Sequence, residues 1–190
     1  MKKIFFMLPA LLILSAFTLF NDEWTNDDPH SQLGFTVKHL GIADVSGTFN
    51  DFDVTIKSTK PDFSDAVVEL TAHVSSIDTR VEARDNHLKS ADFFDAEKYP
   101  TLYFKSTSLK KEGKNKYKLT GDLALHGVTR QVTVDMEYTG TVENPANKKK
   151  TAGFQVRGTI KRSDFNLGNG FPPPMISNEV LIKADGEFVQ

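Results

Sequence analysis

The chain has 190 residues, with 23 lysine and arginine side chains against 25 aspartate and glutamate side chains and a net charge of −2. This length is enough for one domain with a substantial core, and the mild acidity excludes a protein that binds nucleic acid non-specifically, which needs clustered basic residues. The sequence contains no cysteine, which excludes disulfides, a cysteine nucleophile and a lipid-modified N-terminal cysteine.

Residues 1–21 have the pattern of an export signal. Lys2 and Lys3 precede an apolar run over residues 4–20, and a polar stretch follows. A basic start, an apolar core and a polar exit are typical of a secretory signal peptide. The run is also close to the length that spans a bilayer, so a retained membrane anchor is the alternative. We predict a signal peptide over residues 1–21, one domain over residues 22–190, and a periplasmic or otherwise exported location.

Beyond the leader, apolar and polar residues alternate with a period of two in segments separated by Gly, Asn, Asp and Pro, which predicts β-strands. In chain order the alternating segments cover residues 33–38, 45–57, 66–74, 102–106, 119–125, 132–138, 152–161 and 180–184. Each has one polar face, so the sheet is expected to be antiparallel, since parallel sheets bury both faces. His126 and Gly127 are predicted to form the turn between the fifth and sixth segments.

The segment over residues 79–89 breaks the alternation. Arg84 and Leu88 fall at helical spacing there, and the segment lacks Gly and Pro. Asp78 or Thr79 is a suitable N-cap. We therefore predict one short helix, which begins near Thr79 and is followed by an aromatic loop.

Eight alternating strands fit either a sandwich or a closed barrel. Closure removes exposed strand edges, and an eight-stranded barrel has room inside for side chains or for one small ligand. Several inward positions carry small residues, namely Gly47, Ala66, Ala72, Gly121, Ala152 and Gly158. These residues either make room for a ligand or only relieve crowding, and the alternation leaves both roles open. The predicted fold class is all-β, an eight-stranded antiparallel barrel with one short helix.

Motifs for catalysis and metal binding are missing from the sequence. The five histidines do not fall at metal-ligand spacing, and the sequence has no Gly-x-Ser-x-Gly nucleophile elbow. We therefore predict no catalytic residues, no metal site and no cofactor. Two alternatives remain beside ligand binding. One is an enzyme that acts on a lipid or an amide, with a histidine working beside Asp92 or Asp164, and the other is a ligand-free structural or stress-response protein.

Several strings spread along the chain go beyond composition. They include FTVKHLG at residues 35–41, RDNHLKSADFFD at 84–95, YPTLYFKS at 99–106, HGVTR at 126–130 and RSDF at 162–165. Together they resemble the YceI-like family of periplasmic, lipocalin-like proteins that bind polyisoprenoids. Asp28 before Pro29, Asn166 and the run Pro172–Pro174 depart from the family pattern, and the last two leave the shape of the loop before the final strand open.

The resemblance implies a lipocalin-like barrel with the helix beside one opening and an isoprenoid, a quinone tail or a similar lipid chain inside. It also favours the first role for the small inward residues, which would then leave a tunnel instead of a solid core. Such a ligand needs an apolar tunnel with a few polar groups at its mouth. The residues expected to line the tunnel are Phe35, Val37, Phe49, Leu70, Phe104, Leu123, Val134, Phe154 and Ile160. Leu88, Phe93 and Phe94 are expected at the rim, and His39, Arg84, His87 and Arg162 at the mouth, where an arginine can hold an anionic head group.

Each of these roles has a structural alternative. Any single inward residue can instead fill a closed core, and Arg84 can pair with Asp85 or Asp92 to stiffen the helix. His39 and His87 can instead hydrogen-bond the backbone at a strand end and a helix end. Arg162 and Asp164 lie where a strand gives way to a loop and can instead brace the turn. With the resemblance included, the predicted function is that of a lipid carrier or scavenger of the bacterial envelope. Its expected partners are an isoprenoid or other lipid ligand, a second copy of the chain in a homodimer, and a membrane contacted transiently or through an uncleaved leader.

Overall fold

The computed structural model describes residues 22–190, so the predicted signal peptide lies outside the described residues. The strands are β1 (Asp22–His39), β2 (Ala43–Phe49), β3 (Phe52–Ser58), β4 (Val67–His73), β5 (Ile77–Asp78), β6 (Thr101–Gly113), β7 (Lys116–Leu125), β8 (Val128–Glu143), β9 (Lys150–Lys161) and β10 (Ile176–Val189). The helix α1 covers Glu82–Lys89, and two 3-10 helices cover Val74–Ser76 and Arg162–Phe165. From residue 22 to the C-terminus, the helices are too short to cross a bilayer.

The strands close into a ring in which all neighbours are antiparallel. The long strand β1 pairs with β10 on one side and with β2 and β3 on the other. The chain bends at Asn50 and Asp51, between β2 and β3. The strands β2 and β3 together count as one of the eight strands of the wall, and β5 pairs two residues with the edge of β2. The wall is therefore a closed eight-stranded antiparallel barrel, as predicted. Because the ring is closed, backbone polar groups pair within the wall and the interior can be apolar.

The tight turn between β7 and β8 forms where the sequence predicts it. His126 and Gly127 both have positive φ, 51° and 73°, the backbone conformation that two-residue hairpins favour. Glycine is required at the second position for a steric reason as well, because a Cβ atom on Gly127 would lie 2.5 Å from the Tyr99 ring.

The predicted start of the helix is wrong by three residues. Helix α1 begins at Glu82, and its N-cap residue, Val81, makes no side-chain capping hydrogen bond. Arg80 has a φ of 66°, which does not fit a helix. Thr79 donates from its backbone N–H and its hydroxyl to the Asp85 carboxylate. A side chain inside the helix therefore holds Thr79 in a turn, and the threonine cannot cap the helix.

One end of the barrel is closed by Phe63, from the loop between β3 and β4. Phe63 is fully buried, and its ring centroid lies 5.3 Å from that of Trp24, 5.0 Å from Tyr138 and 4.9 Å from Phe154. Aromatic rings at these separations attract one another beyond their buried area. We call this end the plugged end, and the opposite end, beside α1, the open end.

The inward glycines do not create the space inside the barrel. A Cβ atom at each would lie within 2.6 Å of a larger inward side chain, namely Phe35 for Gly47, Phe104 for Gly121 and Val134 for Gly158. The expectation that the small inward residues leave the tunnel is therefore wrong for these glycines, which relieve crowding instead. The inward alanines Ala72 and Ala152 are likewise completely buried against their neighbours.

Phe63→Ala should lower the free energy of unfolding by about 3–5 kcal/mol, because it empties the centre of the plugged end. Denaturant unfolding followed by circular dichroism measures this loss. The control is Val142→Ala, at an exposed position on the same end, which should change stability by less than about 0.5 kcal/mol. Equal unfolding midpoints for the two variants would show that Phe63 does not close the barrel.

Candidate functional site

A cavity of about 430 Å³ lies inside the barrel between the plugged end and α1. Val134 and Phe154, both buried, form part of its wall next to the plugged end. Farther toward the open end, inward residues such as Leu70, Leu123 and Ile160 are only half-buried, although the wall around them is closed. Their remaining exposure faces the cavity. The volume lies within the range of about 300–1,000 Å³ that is usual for small-molecule sites.

The structure brings the predicted site residues to this one cavity. Its lining includes Phe35, Val37, His39, Phe49, Leu70, Arg84, His87, Leu88, Phe93, Phe104, Leu123, Val134, Phe154, Ile160 and Arg162. The alternating pattern of the strands accounts for the apolar members, because inward positions recur every second residue. That these side chains contact a ligand stays a prediction.

An aromatic chain lines the open end on the side of β1 and β2. The Phe49 ring centroid lies 5.8 Å from that of Phe35 and 5.9 Å from that of Phe94. Phe94 follows α1 in the chain, so these contacts attach the loop after the helix to the barrel wall. Phe94, predicted at the rim, is part of the lining.

A second aromatic group connects α1 to the loop before β10. Phe93 and Phe171 stack with centroids 4.9 Å apart, and the His87 ring packs edge-on against both. His87 Nε2 lies 3.1 Å from a carboxylate oxygen of Asp92, which fixes the ring. Phe171 was missed as a site residue, because the glycines and prolines around it indicate only a loop. The sequence signal that could have indicated Phe171 is an aromatic residue within a loop of glycines and prolines.

Arg162 is buried at the open end, and it uses every N–H group of its guanidinium within the protein. The acceptors are five backbone carbonyls, those of Leu167, Gly168, Phe171, Ile176 and Ser177. The predicted role of Arg162 in holding a head group is therefore corrected, because no donor remains for a ligand. Its role is the structural alternative given above, to brace the loop between the second 3-10 helix and β10.

Burial lowers the pKa of the Arg162 guanidinium below its ordinary value, but an arginine side chain stays protonated inside proteins. The five carbonyl dipoles therefore surround a permanent charge. Asn166, which replaces a glycine of the family pattern, has a φ of 57°. Asparagine tolerates this left-handed conformation, so the departure leaves the loop intact.

Arg84 differs from Arg162 in the donors that it leaves free. Its Nε donates to the Thr79 hydroxyl at 2.7 Å and its Nη2 to the Thr79 carbonyl at 2.8 Å. The alternative pairing of Arg84 with Asp85 or Asp92 does not form, since Asp85 accepts from Thr79 and Asp92 contacts His87. Within residues 22–190, its Nη1 has no hydrogen-bond partner. Arg84 therefore remains available to an anionic group in the cavity.

A polar cluster lies outside the cavity, on the wall formed by β1 and β10. Asp27, His30 and Glu187 bring three potential ligand atoms within 4.8 Å of one another. His30 Nδ1 lies 2.7 Å from an Asp27 carboxylate oxygen. Hydrogen bonding to Asp27 and the negative charges of Asp27 and Glu187 raise the pKa of His30. The Asp27–His30 contact, which is an ion pair when His30 is protonated, accounts for this cluster.

Comparisons with known proteins place the chain in a family. The family model of the YceI-like domain matches residues 24–188. A UPF0312 protein of Photorhabdus laumondii is 38% identical over 187 residues, which cover 97% of this chain and 96% of that protein. The chain belongs to the YceI-like family.

Solved structures agree with this assignment. The YceI protein of Campylobacter jejuni superposes with a TM-score of 0.74 at 32% identity, over 80% of this chain and 89% of that one. A polyisoprenoid-binding domain of Saccharophagus degradans, implicated in plant cell wall breakdown, gives a TM-score of 0.68 over 88% of this chain and 97% of that domain. At 15% identity, this second likeness is one of fold.

Arg162→Met should loosen the open end of this YceI-like barrel, because five carbonyls, two of them buried and three partly buried, lose the hydrogen bonds that the guanidinium donates. We expect a loss of at least about 3 kcal/mol in the free energy of unfolding, since hydrogen bonds to charged groups are the stronger ones. Amide hydrogen exchange should rise mainly over residues 166–176. The matched control is Arg130→Met, which removes an exposed arginine with a single bond to the Asp164 carbonyl. Unchanged exchange in Arg162→Met would contradict the role of Arg162.

Proposed function

We propose that this YceI-like protein binds the apolar chain of an isoprenoid or a similar lipid inside its barrel, and acts without covalent chemistry as a carrier or scavenger in the bacterial envelope. The observation that carries this proposal is the 430 Å³ cavity, which is lined mainly by apolar side chains and has Arg84 and His87 at its open end. This arrangement suits a ligand with a long apolar chain and one polar head.

The energetics favour such a ligand. Each methylene group transferred from water into an apolar site contributes about 0.8 kcal/mol, so several isoprene units supply a large gross affinity. The cost of ordering a flexible chain reduces the net value. The inward phenylalanine, leucine, valine and isoleucine side chains offer no hydrogen bonds, so the apolar chain gives affinity and its head group gives selectivity.

Two further observations support the proposal. The Saccharophagus degradans domain with the same fold is a polyisoprenoid-binding domain, which gives a precedent for such a ligand in this barrel. Export to the envelope is supported by the basic and apolar pattern of residues 1–21, and the absence of cysteine leaves the fold independent of the redox state of that compartment.

The enzymatic alternative has weaker support from the geometry. His87 does meet Asp92, but the hydroxyl groups that border the cavity are engaged elsewhere. The Ser31 hydroxyl donates to the Glu187 carbonyl, and the Thr79 hydroxyl to Asp85. A nucleophile needs a base within hydrogen-bond reach, and neither hydroxyl is bonded to His87.

Leu123→Trp tests whether the cavity is the binding site, because the larger side chain fills space inside the barrel without burying a charge. Uptake of a fluorescent polyprenol should fall at least about tenfold, since the indole displaces several methylene groups of the ligand. The matched control is Asp122→Trp, which places the same side chain on the exposed outer face of the same strand. Equal uptake by both variants would place the ligand outside the cavity.

Arg84→Gln tests recognition of the head group. Affinity for a prenyl pyrophosphate should fall about 10- to 100-fold, the usual contribution of a hydrogen-bonded charge, while affinity for the neutral polyprenol changes little. Arg80→Gln removes an exposed arginine that does not border the cavity and should bind both ligands as before. Equal losses for both ligands in Arg84→Gln would mean that Arg84 only stabilises the open end.

A further inference from the structure

Two loops project beside the open end of the cavity. The β1–β2 hairpin carries Leu40 and Ile42 at its tip, and the loop before β10 carries Met175. All three side chains are exposed, and Ile42 is 84% exposed. The backbone N–H of Leu40 donates to the Met175 carbonyl at 3.0 Å, so the two loops form one surface. We call Leu40, Ile42 and Met175 the apolar tip.

The apolar tip lacks charge. Residues 39–43 and 167–178 contain no aspartate, glutamate, lysine or arginine, although a quarter of the whole chain consists of these residues. The nearest charges on the hairpin are Lys38 and Asp44, which neutralise each other in an ion pair of 2.6 Å. Other exposed large apolar residues, such as Val142 and Leu181, lie on separate strands away from this surface.

The backbone of the apolar tip is also adapted to a medium without water. Ile42 donates to the His39 carbonyl, and both Met175 and Ile176 donate to the Pro172 carbonyl. The run Pro172–Pro174 has no N–H groups at all. Unpaired backbone donors are costly in lipid, so the pairing of these three donors lowers the cost of shallow insertion into a bilayer.

The apolar tip is continuous with the cavity lining. Ile176, next to Met175, borders the cavity, as does His39, next to Leu40. A chain that leaves a bilayer beside the apolar tip would therefore pass from lipid to the cavity with little exposure to water. Exposed apolar side chains grouped at one place mark a contact surface, and the position of these three selects a lipid surface as their partner.

We propose that the apolar tip inserts into the surface of a lipid bilayer and places the open end of the cavity against it for loading and release of the ligand. This inference rests on the proposed function. The plugged end then points away from the membrane. Insertion extends as far as the Lys38–Asp44 ion pair, which stays among the lipid head groups.

Because the chain has no cysteine, single labels can test the orientation. Ile42→Cys and Met175→Cys, each labelled with an environment-sensitive fluorophore, should show blue-shifted emission with phosphatidylcholine vesicles and quenching by brominated phosphatidylcholine. Val142→Cys, at the plugged end, should show neither. The protein is expressed from the full sequence and is used in the form that the cell produces, whether residues 1–21 are cleaved or retained. Quenching at position 142 instead of positions 42 and 175 would overturn the proposal, since a retained leader would hold the membrane at the plugged end.

A charge-insertion variant gives the second readout. Ile42→Asp with Met175→Asp should slow polyprenol transfer between vesicles at least about tenfold, because each apolar side chain of this size contributes more than a factor of ten when buried. Val142→Asp with Leu181→Asp should transfer polyprenol like the wild type. Binding of a short, water-soluble prenyl alcohol should be unchanged in both variants.

The outcomes separate the two proposals. Normal binding of the short alcohol together with unaltered transfer by Ile42→Asp with Met175→Asp would overturn membrane docking and leave the lipid-binding function standing. Failure of the wild type to bind the short alcohol or polyprenol would instead overturn the proposed function. A wild-type dimer that Ile42→Asp with Met175→Asp converts to monomers in sedimentation would assign the apolar tip to a contact between copies, and would also overturn docking.

Discussion

The five hydrogen bonds of Arg162 hold the open end of this barrel in shape. The loop over residues 166–175 contains two glycines and three consecutive prolines, and its own backbone hydrogen bonds are short-range turns. A single buried guanidinium supplies donors to five of the carbonyls in and next to this loop. This arrangement places Phe171 on Phe93 and brings Met175 to the β1–β2 hairpin. The lining of the cavity mouth and the apolar tip both depend on one side chain.

The two ends of the barrel differ because they are closed in different ways. Phe63 fills the plugged end from inside and contacts aromatic rings on three strands. At the open end, α1 and the loop before β10 cover the barrel from outside, and aromatic contacts attach them to the wall. A cover of this kind leaves the space beneath it unfilled. The cavity therefore follows from the position of the closing elements, and it does not require small side chains along the strands.

The sequence was sufficient to predict the strands of the wall, and the closed barrel was preferred to a sandwich because closure removes exposed strand edges. Alternation with a period of two identifies the strands and also the side of the wall to which each residue points, which is why the predicted lining residues from Phe35 to Ile160 border one cavity. Alternation cannot show how two inward residues share space. It therefore did not reveal that Gly47, Gly121 and Gly158 accommodate larger side chains.

The parts that could not be predicted depend on loops and on contacts distant in the chain. Phe63 and Phe171 lie in loops without a periodic pattern, and only the folded barrel shows what they cover. Thr79 has a side chain suited to an N-cap, but its backbone N–H and hydroxyl both donate to the Asp85 carboxylate. For Arg162 the sequence left two roles open, a contact with the ligand head group or a brace for the turn, because a sequence shows a charged side chain but not the carbonyls that already occupy it.

The central claim is that the cavity holds an apolar lipid chain. The most direct measurement is native mass spectrometry of the protein purified without detergent from the envelope of its own cells, followed by solvent extraction and identification of what is released. We expect a mass increment in the folded protein that disappears on denaturation, and an extract that contains an isoprenoid or a similar long-chain lipid. A protein that is empty as purified, and that takes up neither labelled polyprenol nor a labelled quinone, would contradict the account.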